Sequence, residues 1–139
     1  MVRWVRAMES APPPLAILLV EDNADAREAL RVLLELEGHA VEAAAEGQEA
    51  LEIVRAKAPD VALVDIGLPG IDGFEVARRV RAQGGRRPVL IALTGYGQPE
   101  DRQRAREAGF DHLLVKPVDP TVLASLLATL EIPGRESRG

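Results

Sequence analysis

Short apolar segments alternate with longer segments of mixed polarity along most of the chain. The apolar segments are 15–20 (LAILLV), 39–44 (HAVEAA), 61–65 (VALVD), 88–94 (PVLIALT) and 111–116 (DHLLVK). Three of them are almost continuous in Val, Ile and Leu, which is typical of strands whose two faces are both covered in a parallel sheet. The second segment alternates less cleanly, and we expect it to lie nearer an edge of the sheet.

A segment with helical spacing of its apolar residues follows each predicted strand. The predicted helices are 24–37, 47–57, 73–83, 99–108 and 120–131, and Gly or Pro stands just beyond the end of each one. Five strand–helix units with short connections imply right-handed crossovers and a doubly wound α/β domain with helices on both faces of a parallel sheet. The last helix carries one apolar stripe that we assign to the core, formed by Val122, Leu123, Leu126, Leu127 and Leu130.

The two ends of the chain differ in composition from this repeating unit. A proline run closes the first segment, and the last seven residues (PGRESRG) are rich in Pro, Gly and charge. We therefore predict a flexible tail over 1–13, one domain over 14–132 and a second flexible tail over 133–139. A chain of 139 residues is long enough to bury a single sizeable core.

Composition excludes several classes of protein. The chain has no cysteine, so it has neither a disulfide framework nor a thiolate metal site, and this suits a reducing cytosol. No apolar run is long enough to span a bilayer, and the first residues do not resemble a signal peptide, so we expect a cytoplasmic protein. A net charge of -5 and an aromatic content of 3% argue against nucleic-acid binding through phosphates or stacked bases.

Chemically useful side chains stand at the predicted carboxyl ends of four strands. Glu21 and Asp22 follow the first strand, Asp65 ends the third, Thr94 ends the fourth and Lys116 ends the fifth. Ligands of doubly wound sheets bind at this edge, where the winding order reverses. Three acids with one lysine leave a deficit of positive charge, which a hard cation with oxygen ligands would relieve. Mg²⁺ fits best, because it binds a few carboxylates, keeps waters and leaves positions for phosphate oxygens.

Four segments together resemble the signature blocks of the receiver domains of two-component response regulators. These segments are LLVEDN (18–23), VALVDIGLPGIDG (61–73), ALTGYG (92–97) and LLVKPVD (113–119). The resemblance covers residues 15–131, and its later part is especially similar to receivers attached to hybrid histidine kinases. It implies a flavodoxin-like sheet with the strand order 2-1-3-4-5.

The resemblance also implies roles for individual residues. Asp65 would be the phospho-acceptor, taking a phosphoryl group from a phosphohistidine on a histidine kinase or a histidine phosphotransfer protein. Thr94 and Lys116 would contact the phosphoryl oxygens and gain this partner only in the phosphorylated state, which can drive a switch in partner binding. Such a chain is a signalling receiver that catalyses only its own phosphorylation and dephosphorylation, and not an enzyme in the usual sense.

The metal ligands follow from the same resemblance. Asp22, Asp65 and the backbone carbonyl of Gly67 would hold Mg²⁺ directly, while Glu21 would act mostly through a metal-bound water. Many receivers carry an aromatic residue three positions before the lysine, and this chain has Leu113 there. In those receivers, inward rotation of the aromatic side chain accompanies phosphorylation. We therefore do not expect this version of the switch in its usual form here.

Other functions stay open at this point. A small Mg²⁺-dependent phosphatase would also use an aspartate nucleophile, but the haloacid-dehalogenase-like pattern places D-x-D on the first strand. A flavin or nucleotide binder would need a phosphate loop where this chain has acids. A receiver-like interaction module that never accepts phosphate is the third alternative. No output segment is recognised after residue 132, so we expect a stand-alone receiver, with a receiver cut from a larger protein as the alternative.

Local predictions concern caps, histidines and surfaces. Asp22 or Asn23 can cap the following helix, and the bond from Lys116 to Pro117 is expected to be cis, as in the family. His39 and His112 are expected at the surface, because neither has a second ligand at metal spacing. The polar helix 99–108 buries mainly two alanines, which favours a monomer. Donor proteins are expected to dock around the acidic rim, on the helix after residue 23 and the loop after residue 116.

Overall fold

Strands and helices alternate strictly along the chain. The computed structural model describes residues 13–95 and 97–132. The strands are β1 (Ala16–Val20), β2 (Ala40–Ala44), β3 (Val61–Asp65), β4 (Val89–Thr94) and β5 (His112–Val115). The helices are α1 (Ala24–Leu36), α2 (Gly47–Lys57), α3 (Gly73–Ala82), α4 (Pro99–Ala108) and α5 (Pro120–Thr129). Apart from Pro13, the predicted tails lie outside the described residues, and the division into tails and one domain stays a prediction.

The five strands form one parallel sheet in the order β2-β1-β3-β4-β5. The doubly wound fold and its strand order are therefore confirmed, and β2 lies at an edge as expected. All residues of β3 and β4 are buried, because these central strands are covered on both faces. Among the described residues, no helix has the length and apolar composition that crossing a membrane requires.

Side chains of the strands point alternately to the two faces of the sheet and build two cores. One core lies under α2, α3 and α4 and includes Leu18, Val20, Val64 and Leu90. The other lies under α1 and α5 and includes Ile17, Leu19, Leu63 and Ile91. This two-sided burial fixes the register of the strands, since a shift by one residue would exchange the two sets of side chains.

The apolar stripe of α5 is only partly in the core. Leu123 and Leu127 are buried, and Leu126 and Leu130 pack against them at the margin. Val122 is 50% exposed, so its assignment to the core was wrong. The reason is helical geometry, because a residue directly next to Leu123 lies about 100° around the helix from it, away from the sheet.

His39 is buried, and its predicted surface position was wrong. Its Nδ1 accepts a hydrogen bond of 3.0 Å from the backbone N–H of Leu15, just before β1. The neighbouring N–H of Ala40 donates to the carbonyl of Leu15, so the imidazole continues the pairing of β1 with β2. Burial lowers the pKa of His39, and the nearby Glu37 carboxylate opposes this only in part. His112, by contrast, is exposed as expected.

This burial makes the stability of the fold dependent on pH. The unfolded chain takes up a proton at His39 near its usual pKa of about 6.5, whereas the folded chain does so only at lower pH. The contribution of neutral His39 to the free energy of unfolding should therefore be complete above a pH of about 6.5. The free energy of unfolding should decrease as the pH falls below this value. We expect urea denaturation between about pH 8 and pH 5 to show a shallower pH dependence for His39→Asn than for the parent chain.

The matched control is His112→Asn, which removes an exposed imidazole. It should keep the pH dependence of the parent chain. Equal pH dependence of His39→Asn and the parent chain would contradict the assignment of a neutral, buried His39.

Candidate functional site

The carboxyl ends of four strands bring five predicted side chains to one edge of the sheet. Carboxylate oxygens of Glu21, Asp22 and Asp65 lie within 4.8 Å of one another. The Lys116 ammonium lies between two of them, with its Nζ 2.7 Å from Glu21 Oε1 and 2.8 Å from Asp65 Oδ2. Thr94 is buried at the end of β4, which pairs with β3 and β5. The predicted convergence of the acids and the ammonium is therefore observed.

Asp65 is held in one orientation by two hydrogen bonds. Its Oδ1 accepts from the backbone N–H of Gly67 at 2.9 Å, and its Oδ2 accepts from Lys116 Nζ at 2.8 Å. The next residue is also tied to the sheet, because the Ile66 N–H donates to the carbonyl of Leu93. Gly67 thus contacts Asp65 through its N–H. The binding of Mg²⁺ by the Gly67 carbonyl stays a prediction.

Glu21 is the most deeply buried acid of the site, with 1% of its surface exposed. Its Oε2 accepts a hydrogen bond of 3.2 Å from the Asn23 N–H. Its Oε1 forms an ion pair with the Lys116 ammonium at 2.7 Å. Burial raises the pKa of Glu21, and the contacts with Lys116 and Asn23, which lower it, do not compensate.

Asp65 and Lys116 stabilise each other in their charged forms. Burial alone would raise the pKa of Asp65, but the hydrogen bonds from Lys116 and Gly67 bring it below its usual value. Burial alone would lower the pKa of Lys116, but its contacts with Asp65 and Glu21 bring it above its usual value. Both groups are therefore held in their charged forms near neutral pH.

The donor set fits a divalent cation. Among the described residues, three carboxylates face the Lys116 ammonium, which leaves excess negative charge. Asp22 is exposed and keeps the cluster open to solvent. All the available ligands are oxygen atoms, as a hard cation such as Mg²⁺ prefers. The site therefore has the charge and the chemistry that Mg²⁺ requires.

Backbone contacts hold the loops that carry the site. The Lys116 N–H donates to the Thr94 carbonyl at 2.7 Å, which joins the ends of β4 and β5. The bond from Lys116 to Pro117 is cis, as predicted. Asn23 caps α1 by accepting from the Ala26 N–H at 2.9 Å, so this helix begins directly beside the acidic pair.

Two contacts were not predicted from the sequence. Arg27 Nη1 donates to the carbonyl of Glu21 at 2.8 Å, which braces the acidic loop from the first turns of α1. Gly73, at the start of α3, lies against the backbone of the loop after β3: a Cβ there would be 2.6 Å from the Asp65 carbonyl oxygen and 2.5 Å from Ile66 Cα. Its N–H donates to the carbonyl of Ile66 at 3.2 Å. The only sequence signal for the contact of Arg27 with Glu21 was a basic residue one turn after the N-cap.

An apolar groove of about 640 Å³ opens directly beside the charged cluster. One wall is formed by α1 and the other by the loop between β5 and α5. Apolar atoms dominate its surface, although Glu21 and Lys116 reach its end. Its lining residues are Glu21, Ala26, Ala29, Leu30, Leu33, Lys116, Pro117, Val118 and Pro120.

Comparison with known proteins gives a consistent family match. The family model described as the response regulator receiver domain matches residues 17–128. The chain is 43% identical over 112 residues to the "Uncharacterized 14.6 kDa protein in sodA1 3'region" of Leptolyngbya boryana, covering 80% of this chain and 86% of that protein. It is 41% identical to the transcriptional regulatory protein AfsQ1 of Streptomyces coelicolor, covering 88% of this chain but 54% of that protein.

A further relative and two solved structures agree with this match. The response regulator MprA of Mycolicibacterium vanbaalenii is 38% identical, with 84% of this chain and 49% of that protein covered, so this chain spans about half the length of such regulators. The receiver domain of the sensor histidine kinase PA1611 from Pseudomonas aeruginosa, solved with a magnesium ion in its active-site cleft, aligns with a TM-score of 0.75 and 34% identity. That alignment covers 83% of this chain and 95% of the receiver. The chemotaxis protein CheY4 from Vibrio cholerae aligns with a TM-score of 0.77 and 31% identity, covering 83% and 97%.

Proposed function

Because the chain belongs to the response regulator receiver domain family of two-component signalling proteins, we propose that Asp65 is its phospho-acceptor. The donor is a phosphohistidine on a histidine kinase or a histidine phosphotransfer protein. The observation that carries this proposal is the geometry of Asp65, whose carboxylate is charged, held by Gly67 and Lys116, and placed at a solvent-open edge beside two further acids. The absence of cysteine suits a reducing compartment, so we place this reaction in the cytoplasm.

The transfer requires positioning and charge neutralisation more than acid–base chemistry. A carboxylate oxygen of Asp65 attacks phosphorus, the new O–P bond forms, and the bond from phosphorus to the donor imidazole nitrogen breaks with its electron pair going to that nitrogen. The product is an acyl phosphate. Lys116 lies within hydrogen-bond distance of the attacking carboxylate, so it can follow the charge onto a phosphoryl oxygen. Thr94, one strand away, supplies the second contact.

Asp22, Asp65 and the carbonyl of Gly67 would hold Mg²⁺, with Glu21 acting through a bound water. When bound, this cation neutralises charge on the phosphoryl oxygens as they approach the carboxylates. The magnesium ion coordinated in the active-site cleft of the PA1611 receiver supports this proposal. The excess of carboxylates over ammonium groups at this edge supports it as well.

Phosphorylation by a small donor tests the proposal directly. We expect the full chain to gain the mass of one phosphoryl group when it is incubated with acetyl phosphate and Mg²⁺, as read by intact mass spectrometry. Chelation of the metal by EDTA should suppress this gain, because three carboxylates without a divalent cation repel the incoming phosphate. No gain with Mg²⁺ present would contradict the proposal and favour an interaction module, while turnover of p-nitrophenyl phosphate would favour a phosphatase.

We further propose that the donor protein docks in the apolar groove between α1 and the loop after β5. The groove ends at Lys116 and Glu21, so a partner seated in it reaches Asp65 without crossing the sheet. The surface of α4 does not favour self-association of the chain, because Ala105 and Ala108 are buried and, apart from Pro99, the other side chains of this helix are polar. We therefore propose that the chain acts as a monomer.

Ala29→Arg tests the groove, because it places a long cation on its α1 wall. We expect phosphoryl transfer from a phosphohistidine donor to slow by about tenfold or more, as for a blocked interface centre. Phosphorylation by acetyl phosphate should not change, since this small donor needs no groove. Ala56→Arg, on the exposed side of α2, is the matched control and should transfer like the parent chain. Unchanged phosphoryl transfer from the cognate donor to the Ala29→Arg variant would exclude the groove as the docking site of the donor.

A further inference from the structure

Helix α1 carries apolar side chains on the side that faces away from the sheet. Leu36 is 80% exposed and Val32, one turn earlier, is 43% exposed, whereas Leu34 on the opposite side of the helix is fully buried. Ala29 is exposed as well, and Leu33 is half-buried. Because residues three and four positions apart are neighbours on a helix, Ala29, Val32, Leu33 and Leu36 form one continuous surface, which we call the outer stripe.

The outer stripe is larger than the scattered apolar residues of an ordinary protein surface. It continues into the apolar groove beside α1, because Ala29 and Leu33 belong to both. Single exposed apolar residues are common, but a continuous apolar surface usually marks a place where another protein segment binds. Among the described residues, the exposed large apolar side chains are Val32, Leu36, Val115 and Val122, and two of them lie on the outer stripe.

The amino-terminal segment of the chain joins the domain at the carboxyl end of α1. The Leu15 N–H donates to His39 Nδ1 at 3.0 Å, and the His39 N–H donates at 3.2 Å to the carbonyl of Leu34, in the last turn of α1. Residues 1–12 lie outside the described part of the chain and precede this junction. The segment therefore starts out beside the most exposed end of the outer stripe.

This segment is long enough to reach every part of the outer stripe. A chain spans at most about 3.3–3.6 Å per residue, so the residues between Trp4 and Pro13 can bridge up to about 30 Å. Helix α1 has 13 residues and a length of about 20 Å. Trp4 can thus contact any residue of the outer stripe.

The composition of residues 1–12 complements this side of the molecule. The segment has two arginines, one glutamate and four large apolar residues, which are Val2, Trp4, Val5 and Met8. Residues 24–37 contain two arginines and four exposed acids, which are Asp25, Glu28, Glu35 and Glu37. An apolar segment with excess positive charge is therefore attracted to α1 both by its apolar stripe and by the acids that border it.

We propose that residues 2–8 of the chain bind the outer stripe of α1, with the Trp4 side chain packed on Val32 and Leu36. The indole suits this position, because it offers a large apolar surface while its N–H can remain near solvent. Arg3 and Arg6 then lie toward the acids that border the outer stripe. The predicted amino-terminal tail would be held on the domain instead of moving freely.

Two arguments favour this segment over another occupant. Its covalent attachment next to α1 gives it a high effective concentration at the outer stripe, which a separate protein does not have. A second copy of the chain fits less well, because a symmetric pair would place the acids of one α1 against the same acids of the other.

A segment bound here also limits access to the groove, since the outer stripe and the groove share Ala29 and Leu33. A donor protein seated in the groove would have to displace it. Trp4→Ala should therefore accelerate phosphoryl transfer from a phosphohistidine donor and leave phosphorylation by acetyl phosphate unchanged. Equal transfer to both chains would overturn this competition. Only the competition rests on the proposed function, and the binding of residues 2–8 to α1 does not.

Fluorescence of Trp4 tests the binding, because the chain has one tryptophan. In the full, unphosphorylated chain, we expect emission at shorter wavelength and weaker quenching by acrylamide than in a synthetic peptide of residues 1–12. Val32→Thr together with Leu36→Gln should restore the emission and quenching of the peptide, because the apolar contact is lost. Both side chains are exposed, so this double variant should fold, which circular dichroism checks.

Val115→Thr is the matched control, since Val115 is 40% exposed and lies at the end of β5. This variant should keep the fluorescence of the parent chain. A second measurement compares the ¹⁵N NMR spectra of Trp4→Ala and the parent chain. The amide signals of Val32 and Leu36 should shift, whereas that of Ala56 on α2 should not.

Three outcomes would overturn the proposal. They are Trp4 fluorescence equal to that of the free peptide, protected fluorescence that the Val32 and Leu36 double variant leaves unchanged, and amide shifts that map away from α1. Protection that is lost on dilution would place the segment on a second copy of the chain, and would overturn it as well. Because these measurements need neither Mg²⁺ nor a phosphoryl donor, their failure is separate from a failure of Asp65 phosphorylation.

Discussion

Asp65→Asn is expected to reduce phosphorylation by acetyl phosphate to below about one hundredth of the parent value, because an amide oxygen is a far weaker nucleophile than a carboxylate. The substitution changes few contacts, since Asn can still accept from the Gly67 N–H where Asp65 Oδ1 does. It also removes one of three crowded negative charges, so the variant should fold. Intact mass spectrometry after incubation with acetyl phosphate and Mg²⁺ measures the effect.

Asp72→Asn is the matched control for this experiment. Asp72 lies in the same loop after β3 and caps α3 by accepting from the Glu75 N–H at 2.9 Å, a role that Asn fills about equally well. This variant should be phosphorylated like the parent chain. If Asp65→Asn gained the phosphoryl mass as readily as Asp72→Asn, Asp65 would not be the phospho-acceptor.

Gly73→Ala is expected to lower the free energy of unfolding by about 2–3 kcal/mol, as for overpacking against backbone. The added Cβ would stand 2.6 Å from the Asp65 carbonyl oxygen and 2.5 Å from Ile66 Cα, and backbone atoms cannot turn aside as a flexible side chain can. A loss of this size lowers the melting temperature by about 5–10 °C. Thermal and urea unfolding of the full chain measure it.

The same substitution should also slow phosphorylation, measured at a temperature where the variant is folded. Any relief of the clash moves α3 away from the loop that orients Asp65, so the Asp65 carboxylate loses its fixed position. Gly95→Ala is the control, since a Cβ there meets no atom within 4 Å, and its unfolding free energy should stay within about 0.5 kcal/mol of the parent. Equal stability of the two variants would contradict the close packing of α3 on the loop after β3.

Much of the site was predictable from the chain because parallel strands end at one edge. Once the apolar segments were read as β1, β3, β4 and β5, the acids, Thr94 and Lys116 that follow them had to meet. The N-cap at Asn23 was predictable for a similar reason, since its signal lies within a few residues of the helix it serves. Such features depend on local sequence and on the repeat of the fold.

Other features depend on which distant atoms come into contact, and no local pattern reports them. The burial of His39 is decided by the Leu15 N–H, 24 residues earlier, which needs an acceptor at the start of β1. The exposure of Val122 is decided by which side of α5 packs on the sheet. Both predictions failed because burial is a property of the assembled layers and not of the residue type.

The sequence by itself thus determined the order of the elements, the edge at which the chemistry lies and the residues that meet there, because periodicity and strand direction are encoded locally. Only the tertiary structure decided how these residues are held. It placed the Lys116 ammonium between two carboxylates, set Gly73 against the Asp65 backbone, and opened a groove beside α1. The physical reason is that ion pairs, close backbone contacts and concave surfaces arise from packing between elements far apart in the chain.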